Sequence, residues 1–280
     1  MFSFHSLTVF STLTSFKTRL GDLLDSPYWS PNTKLGCLVE IKIQSGEELN
    51  KLLDALAKDI VDANIFFRLI TGLSASIKDY PTEFAQSNTF WSLTMQALKE
   101  AYLTRLCRVF EQNCDTLNLY NLLDTIKANL HFFEEPHFRE RMKDNAFVNS
   151  LAEDARIPAL KELLTDIEYA SIRNPIVLKL IKWRNNFHAH IGAKVPLGKA
   201  GSLKSLRIDK DEINELLDQC FVILNRYMRL YKATSWSRQI IGHDDYLSLL
   251  KFLHLGVESY EADIQREIDS DNSGDSPPSA

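Results

Sequence analysis

At 280 residues, 45% of them apolar, the chain can bury a sizeable core as one large domain or two small ones, which excludes a disordered protein. Ten glycines and nine prolines are too few for a sheet-and-turn architecture, so the composition excludes an all-β fold and favours an all-α one. A net charge of −5 repels polyanions from the molecule as a whole. The four cysteines, at positions 37, 107, 114 and 220, form no Cys-x-x-Cys pair, which excludes a zinc ribbon and predicts reduced thiols in a cytoplasmic protein.

Residues 1–44 read as an irregular N-terminal extension. The stretch 1–20 is apolar but lacks the basic start and small-residue cleavage site of a signal peptide, and no run of 18 apolar residues predicts a membrane span. A turn-rich segment at 26–32 is followed by 37–43, which alternates like a short strand. From Ser45 the pattern becomes helical and stays so over a domain spanning 45–260. Ser45 with Glu48 forms a capping-box signature, and Leu49, Leu52, Leu53, Leu56, Ile60, Ala63, Phe67 and Ile70 recur at helical spacing. After Tyr80-Pro81 a second long helix, capped near Asn88, carries Trp91, Met95, Leu98, Tyr102, Leu106 and Val109 to about Gln112. A shorter helix is expected around 117–130, a segment opened by Pro136 to about 154, and another opened by Pro158 with Leu160, Leu163, Leu164 and Ile167. Asn174-Pro175 sets a cap and first-turn proline before Ile176, Val177, Leu180, Ile181 and Trp183. Asp209 and Glu212 start a further helix, and a last one spans about 244–267. Residues 261–280, with six acids against Arg266 alone, read as a disordered acidic tail.

The overall acidity conceals a basic island. Between Arg173 and Ile208 there are eight cations (Arg173, Lys179, Lys182, Arg184, Lys194, Lys199, Lys204, Arg207) and no acid. That leaves the other 24 cations against all 37 acids, a balance of −13. A polyanion is steered to such an island, with Lys179, Lys182, Lys194, Lys199, Lys204 and Arg207 as the contacts for a phosphate backbone. Trp183 and Phe187 are either base-stacking groups or core residues at this spacing.

Inside the island lies Trp183-Arg184-Asn185-Asn186-Phe187-His188-Ala189-His190. On an α-helix Arg184 shares a face with His188, four residues on, and Asn186 with His190. Arg184 and His190 lie on different stripes, about 9 Å of rise apart, so joining the two pairs in one cleft calls for a second, symmetry-related helix. Arginine and histidine together suit phosphodiester cleavage without a metal: imidazole moves a proton near neutral pH and guanidinium stabilises charge developing on phosphorus. RNA supplies its own nucleophile in the 2′-hydroxyl.

This run resembles the defining motif of the HEPN superfamily, an Arg followed by a polar residue and, after four to six positions, a His. The branch it most resembles is the abortive-infection AbiU-type proteins. The likeness extends upstream to Phe90-Trp91, the helix end Leu103-Thr-Arg-Leu-Cys-Arg-Val-Phe-Glu111, and Leu119-Tyr-Asn-Leu-Leu123, covering roughly 45–233. The resemblance implies a HEPN-like helical bundle that dimerises along its motif helices and, in many members, a metal-independent endoribonuclease acting as a toxin in phage defence. It implies that Arg184 contacts the scissile phosphate, that Asn185 orients the site and that His190 is the catalytic histidine, with His188 as the second candidate. RNA and a second copy are the implied partners, with a possible antitoxin or other neutralising partner; no cofactor, metal or membrane is expected. Two departures stand out: Gly192 replaces the Tyr of relatives silenced by a nucleotidyltransferase, and Asn186 replaces a usual basic residue. The alternative is a non-catalytic helical RNA- or partner-binding module using the same helix as its dimer seam.

Other candidates are weaker. His131, Glu134, Glu135 and His137 suggest a metal site, but Pro136 interrupts their shared face. Cys107 and Cys114 read as core thiols, and His243-Asp244-Asp245 as a helix start.

Overall fold

Ser45 and Glu48 begin the described fold as their spacing predicts. The Ser45 hydroxyl accepts from the Glu48 amide at 3.3 Å, while the Glu48 carboxylate reaches back to the Gln44 amide at 2.6 Å, one residue upstream of its usual capping-box partner. The computed structural model describes residues 41–188 and 208–273. The expectations for 1–40, for 189–207 and for the end of the tail beyond 273 lie outside the described residues. Ile41 donates its amide to the Thr125 hydroxyl at 2.8 Å, and no strand occurs among the described residues, as an all-α fold requires.

Helix α1 (Gly46–Ser76) is about 46 Å long at 1.5 Å per residue, and buries Leu49, Leu53, Leu56, Ile60 and Phe67. α2 (Pro81–Gln86) is a short turn started by Pro81, and α3 (Asn88–Val109) returns along α1. The pairs Asp59–Arg108, Asp62–Arg105 and Phe67–Tyr102 run in opposite chain directions, so the two helices are antiparallel. α4 (Leu119–Ala128) is capped by Asn118, which accepts from the Asn121 amide at 2.9 Å, and runs into a 3-10 turn at Leu130–Phe133.

The segment opened by Pro136 differs from the single expected one. It divides into α5 (Glu135–Arg141) and α6 (Val148–Ala152), because the Asn145 side chain accepts from the Phe147 amide at 2.8 Å and holds a turn in place of a third helical repeat. α7 (Leu160–Ala170) and α8 (Pro175–Trp183) follow, the latter capped by Asn174, which accepts from the Ile176 amide at 2.9 Å.

α9 (Lys210–Lys232) has a full capping box. Asp209 accepts from the Glu212 amide and Glu212 accepts from the Asp209 amide, both at 2.9 Å. α9 is the central pillar, with Leu216, Leu217, Cys220, Leu224, Tyr227 and Tyr231 all buried in the main core, and it packs on α1, α5, α8 and the 3-10 turn. α10 (Tyr246–Ser273) inserts Leu250 into a second, smaller cluster with Leu73, Phe84 and Trp91, then leaves the body. Every residue of 258–270 is exposed. Residues 261–270 are thus unburied as their composition dictates, yet the chain is helical to Ser273. Good helix formers and local pairs, such as Gln265 to Asp269 at 2.9 Å and Arg266 with Asp263, supply the reason. No described helix is long and apolar enough to cross a membrane.

Candidate functional site

The apolar positions of α8 (Val177, Leu180) are buried and Ile181 and Trp183 pack partly buried on the core, so Trp183 takes its core role. Past Trp183 the backbone changes hand-hold. Arg184–His188 form a π-helical turn, with bonds to the fifth residue back in place of the fourth. A wider turn of this kind concentrates at functional sites, and here it begins at the arginine singled out in the sequence.

Arg184 is not left bare. Its Nη1 forms an ion pair with Glu111, and the two side chains are 28% and 21% exposed, enough for a ligand to reach the guanidinium. Glu111 follows the end of α3, where its amide donates to the Arg108 carbonyl at 3.2 Å. The next residue, Gln112, donates its side-chain amide to the Ala170 carbonyl at 3.1 Å, which pins this loop to the end of α7, immediately before the α8 cap. Asn121 closes the same loop from below through the carbonyls of Asn113 and Thr116, at 2.9 and 2.8 Å. One turn before Glu111 the buried Cys107 thiol is pushed up to about 12 by burial, with the Arg184 charge pulling the other way. It stays protonated and inert near neutral pH, as a core thiol should.

The neighbouring motif residues divide. Asn185 is exposed; Asn186 donates to the Lys182 carbonyl at 2.7 Å and braces the turn. His188 belongs to the π turn by its backbone, and its side chain lies outside the described residues, as does that of Phe187. His190, Lys194, Lys199, Lys204 and Arg207 lie outside them altogether. Of the island's described cations, Lys179 is bound by Glu212 at 2.6 and 2.7 Å and Arg173 faces Glu168 at 3.9 Å, whereas Lys182 has no ion pair among the described residues. The island lacks acids in sequence, but the fold brings Glu111, Glu168 and Glu212 to it. Sequence reasoning missed Glu111 as a site residue, although it closes the upstream segment on which the resemblance rests.

His131 and His137 have ring centroids 6.1 Å apart, both against Phe132, and no group of three or more His, Cys, Asp or Glu side chains that could hold a metal occurs among the described residues.

Among the described residues the helical bundle, with an arginine-started motif at the end of a core-packed helix, is consistent with a HEPN-type protein. The family model described as AbiU2, of HEPN type, matches residues 46–252, from the first residue of α1 to just past the anchoring Leu250 of α10. The chain belongs to this abortive-infection-associated HEPN family. No curated protein and no solved structure matches it.

Proposed function

We propose that the protein is a metal-independent endoribonuclease, a toxin or effector of abortive infection, that works as a cytoplasmic homodimer with two motif helices facing one cleft. The observation that carries this reading is Arg184, a partly exposed guanidinium at the start of a π turn, oriented by Glu111 and followed within six residues by two histidines.

In the reaction, the 2′-oxygen of the substrate attacks the adjacent phosphorus while its proton passes to an imidazole, for which His190 is the first candidate and His188 the second. The 2′-O–P bond forms, the P–O5′ bond breaks, and a proton returns to the 5′-oxygen, giving a cyclic phosphate and a 5′-hydroxyl. Arg184 stabilises the extra negative charge on the non-bridging oxygens, sharing its guanidinium with Glu111 in the resting site. Asn185, exposed at the turn, orients the RNA in this reading. Lys182, without an ion pair among the described residues, supplies a cation beside the turn, and Lys194, Lys199, Lys204 and Arg207 extend the contacts along the backbone. Lys179 serves α9 through Glu212 first and RNA second.

The test is incubation of the purified chain with tRNA in EDTA, comparing wild type with Arg184→Ala and His190→Ala and reading the fragment ends. Cleavage by wild type alone, leaving cyclic-phosphate and 5′-hydroxyl ends, is the expected result. A second reading, a binding module, draws support from the same Glu111–Arg184 pair, since compensated charge suits a structural arginine. It predicts RNA retention that survives His190→Ala and no cutting by the folded dimer.

A further inference from the structure

A pair of arginines meets at Asn64 of α1. Asn64, fully buried, grips Arg238 twice: its amide donates to the Arg238 carbonyl at 3.0 Å and its oxygen accepts from the Arg238 Nε at 3.3 Å. Arg238 also donates to the Asn214 side chain of α9 at 2.7 Å and forms an ion pair with Asp218, one turn further along α9. One turn beyond Asn64 on α1 stands Arg68. Its Nε is buried with no hydrogen-bond partner, and among the described residues its guanidinium has no ion pair. Asn64 therefore holds Arg238 one helical turn from Arg68, and burial and the Arg68 charge both hold the Arg238 group below its ordinary value.

Among the described residues, two forks of charged donors meet one carboxylate, Asp218, which leaves an excess charge of one around the buried Asn64 amide, and buried donors on a cation are the groups least often left unsatisfied. We propose that Arg68 and Arg238 form a binding site for one singly charged phosphate group, either dihydrogen phosphate or a phosphodiester of a nucleotide chain. Paired N–H donors match two phosphate oxygens better than a point charge does. Asn64 and Asn214 hold the Arg238 fork in place, and the phosphate neutralises Arg68. The site is separate from Arg184 and Glu111 and does not depend on RNA being cut.

The experiment titrates the full chain at constant ionic strength with inorganic phosphate, with the dinucleotide ApA, whose sole phosphate is a diester, and with acetate. Binding is read by calorimetry and by the shift in melting temperature. Saturable binding of one equivalent of inorganic phosphate or of ApA, with acetate at least tenfold weaker, is expected; which of the two binds identifies the source. Arg68→Gln should weaken that binding at least tenfold while its melting temperature in phosphate-free buffer stays equal to or above that of wild type, because a repelling charge has gone. Arg68→Lys, which keeps the charge but loses the fork, should fall between. Equal binding of acetate, undiminished binding by Arg68→Gln, or no binding of either phosphate probe overturns the proposal.

Discussion

Arg184 is already paired with Glu111 in the folded chain, and that pairing bears on any ligand the guanidinium takes. Glu111 pairs with the guanidinium and, in the proposed ribonuclease, subtracts its charge from the surface offered to RNA. Glu111→Gln removes the subtraction, so RNA should bind several-fold more tightly, and the slope of log affinity against log salt should steepen by about 0.7. Filter binding across a salt series measures both, and unchanged affinity would show that the pair takes no part in recognition. Cys107, one turn away, gives a complementary prediction. With its thiol pushed up to about 12 by burial, iodoacetamide at pH 8 should leave it unlabelled in the folded chain and label it after unfolding. Rapid labelling of the native protein, read by mass spectrometry, would place a thiolate beside Arg184 instead.

Between elements, a few polar links decide which helices stay together. Asp166 of α7 accepts from the buried Tyr227 hydroxyl at 2.7 Å and pairs with Arg226, both on α9. Asp166→Ala strands the buried Tyr227 hydroxyl and leaves Arg226 with Glu162 alone, at 3.9 Å, and should cost about 1–3 kcal/mol, read as a lower denaturant midpoint. α10 is held by a different link. The buried Glu83 of α2 meets His254 Nδ1 at 2.6 Å, with Glu258 on the other ring nitrogen at 3.3 Å and the Tyr80 ring beside it. The Glu83 hydrogen bond raises the imidazole above its usual 6.5. That contribution is complete below 6.5 and is lost as pH rises through the higher folded value. Glu83 is held below its usual 4.5: burial, the largest single influence, pushes the other way but is outweighed by its backbone hydrogen bond and His254 together. Its contribution is present above 4.5 and lost as pH falls. The anchor is therefore firmest between those values, and raising the pH from 6 to 8.5 should lower the melting temperature of wild type more than that of His254→Gln. Equal slopes for the two proteins would remove the link.

For the molecule as a whole, the parts legible in the sequence were those governed by local chemistry. Ser45, Asn174 and the Asp209–Glu212 box start their helices because cap and acid act within four residues, and the 3.6-residue spacing of Leu49 to Phe67 names the buried face of α1. What was not legible depends on groups far apart in the chain. The π turn has no composition signal of its own; it arises where α8, packed by Leu180 and Trp183, must present Arg184 to Glu111, 73 positions earlier. The charge island read as uniformly free because its acidic partners sit on α9 and in the segments after α3 and at the end of α7. The split of α5 from α6 turned on one Asn145 side chain, and the tail proved helical because short-range pairs suffice for a helix without burial.

The central claim, that Arg184 and its histidine direct an attack by the RNA's own 2′-hydroxyl, is tested most directly at the scissile nucleotide. Once a cleavage site is mapped, the same RNA is prepared with a single 2′-O-methyl group there and followed under single-turnover conditions in EDTA. Loss of cutting at that position, with binding unchanged, is the predicted result. Continued cutting at the blocked nucleotide would contradict the account, because the nucleophile would then have to come from elsewhere.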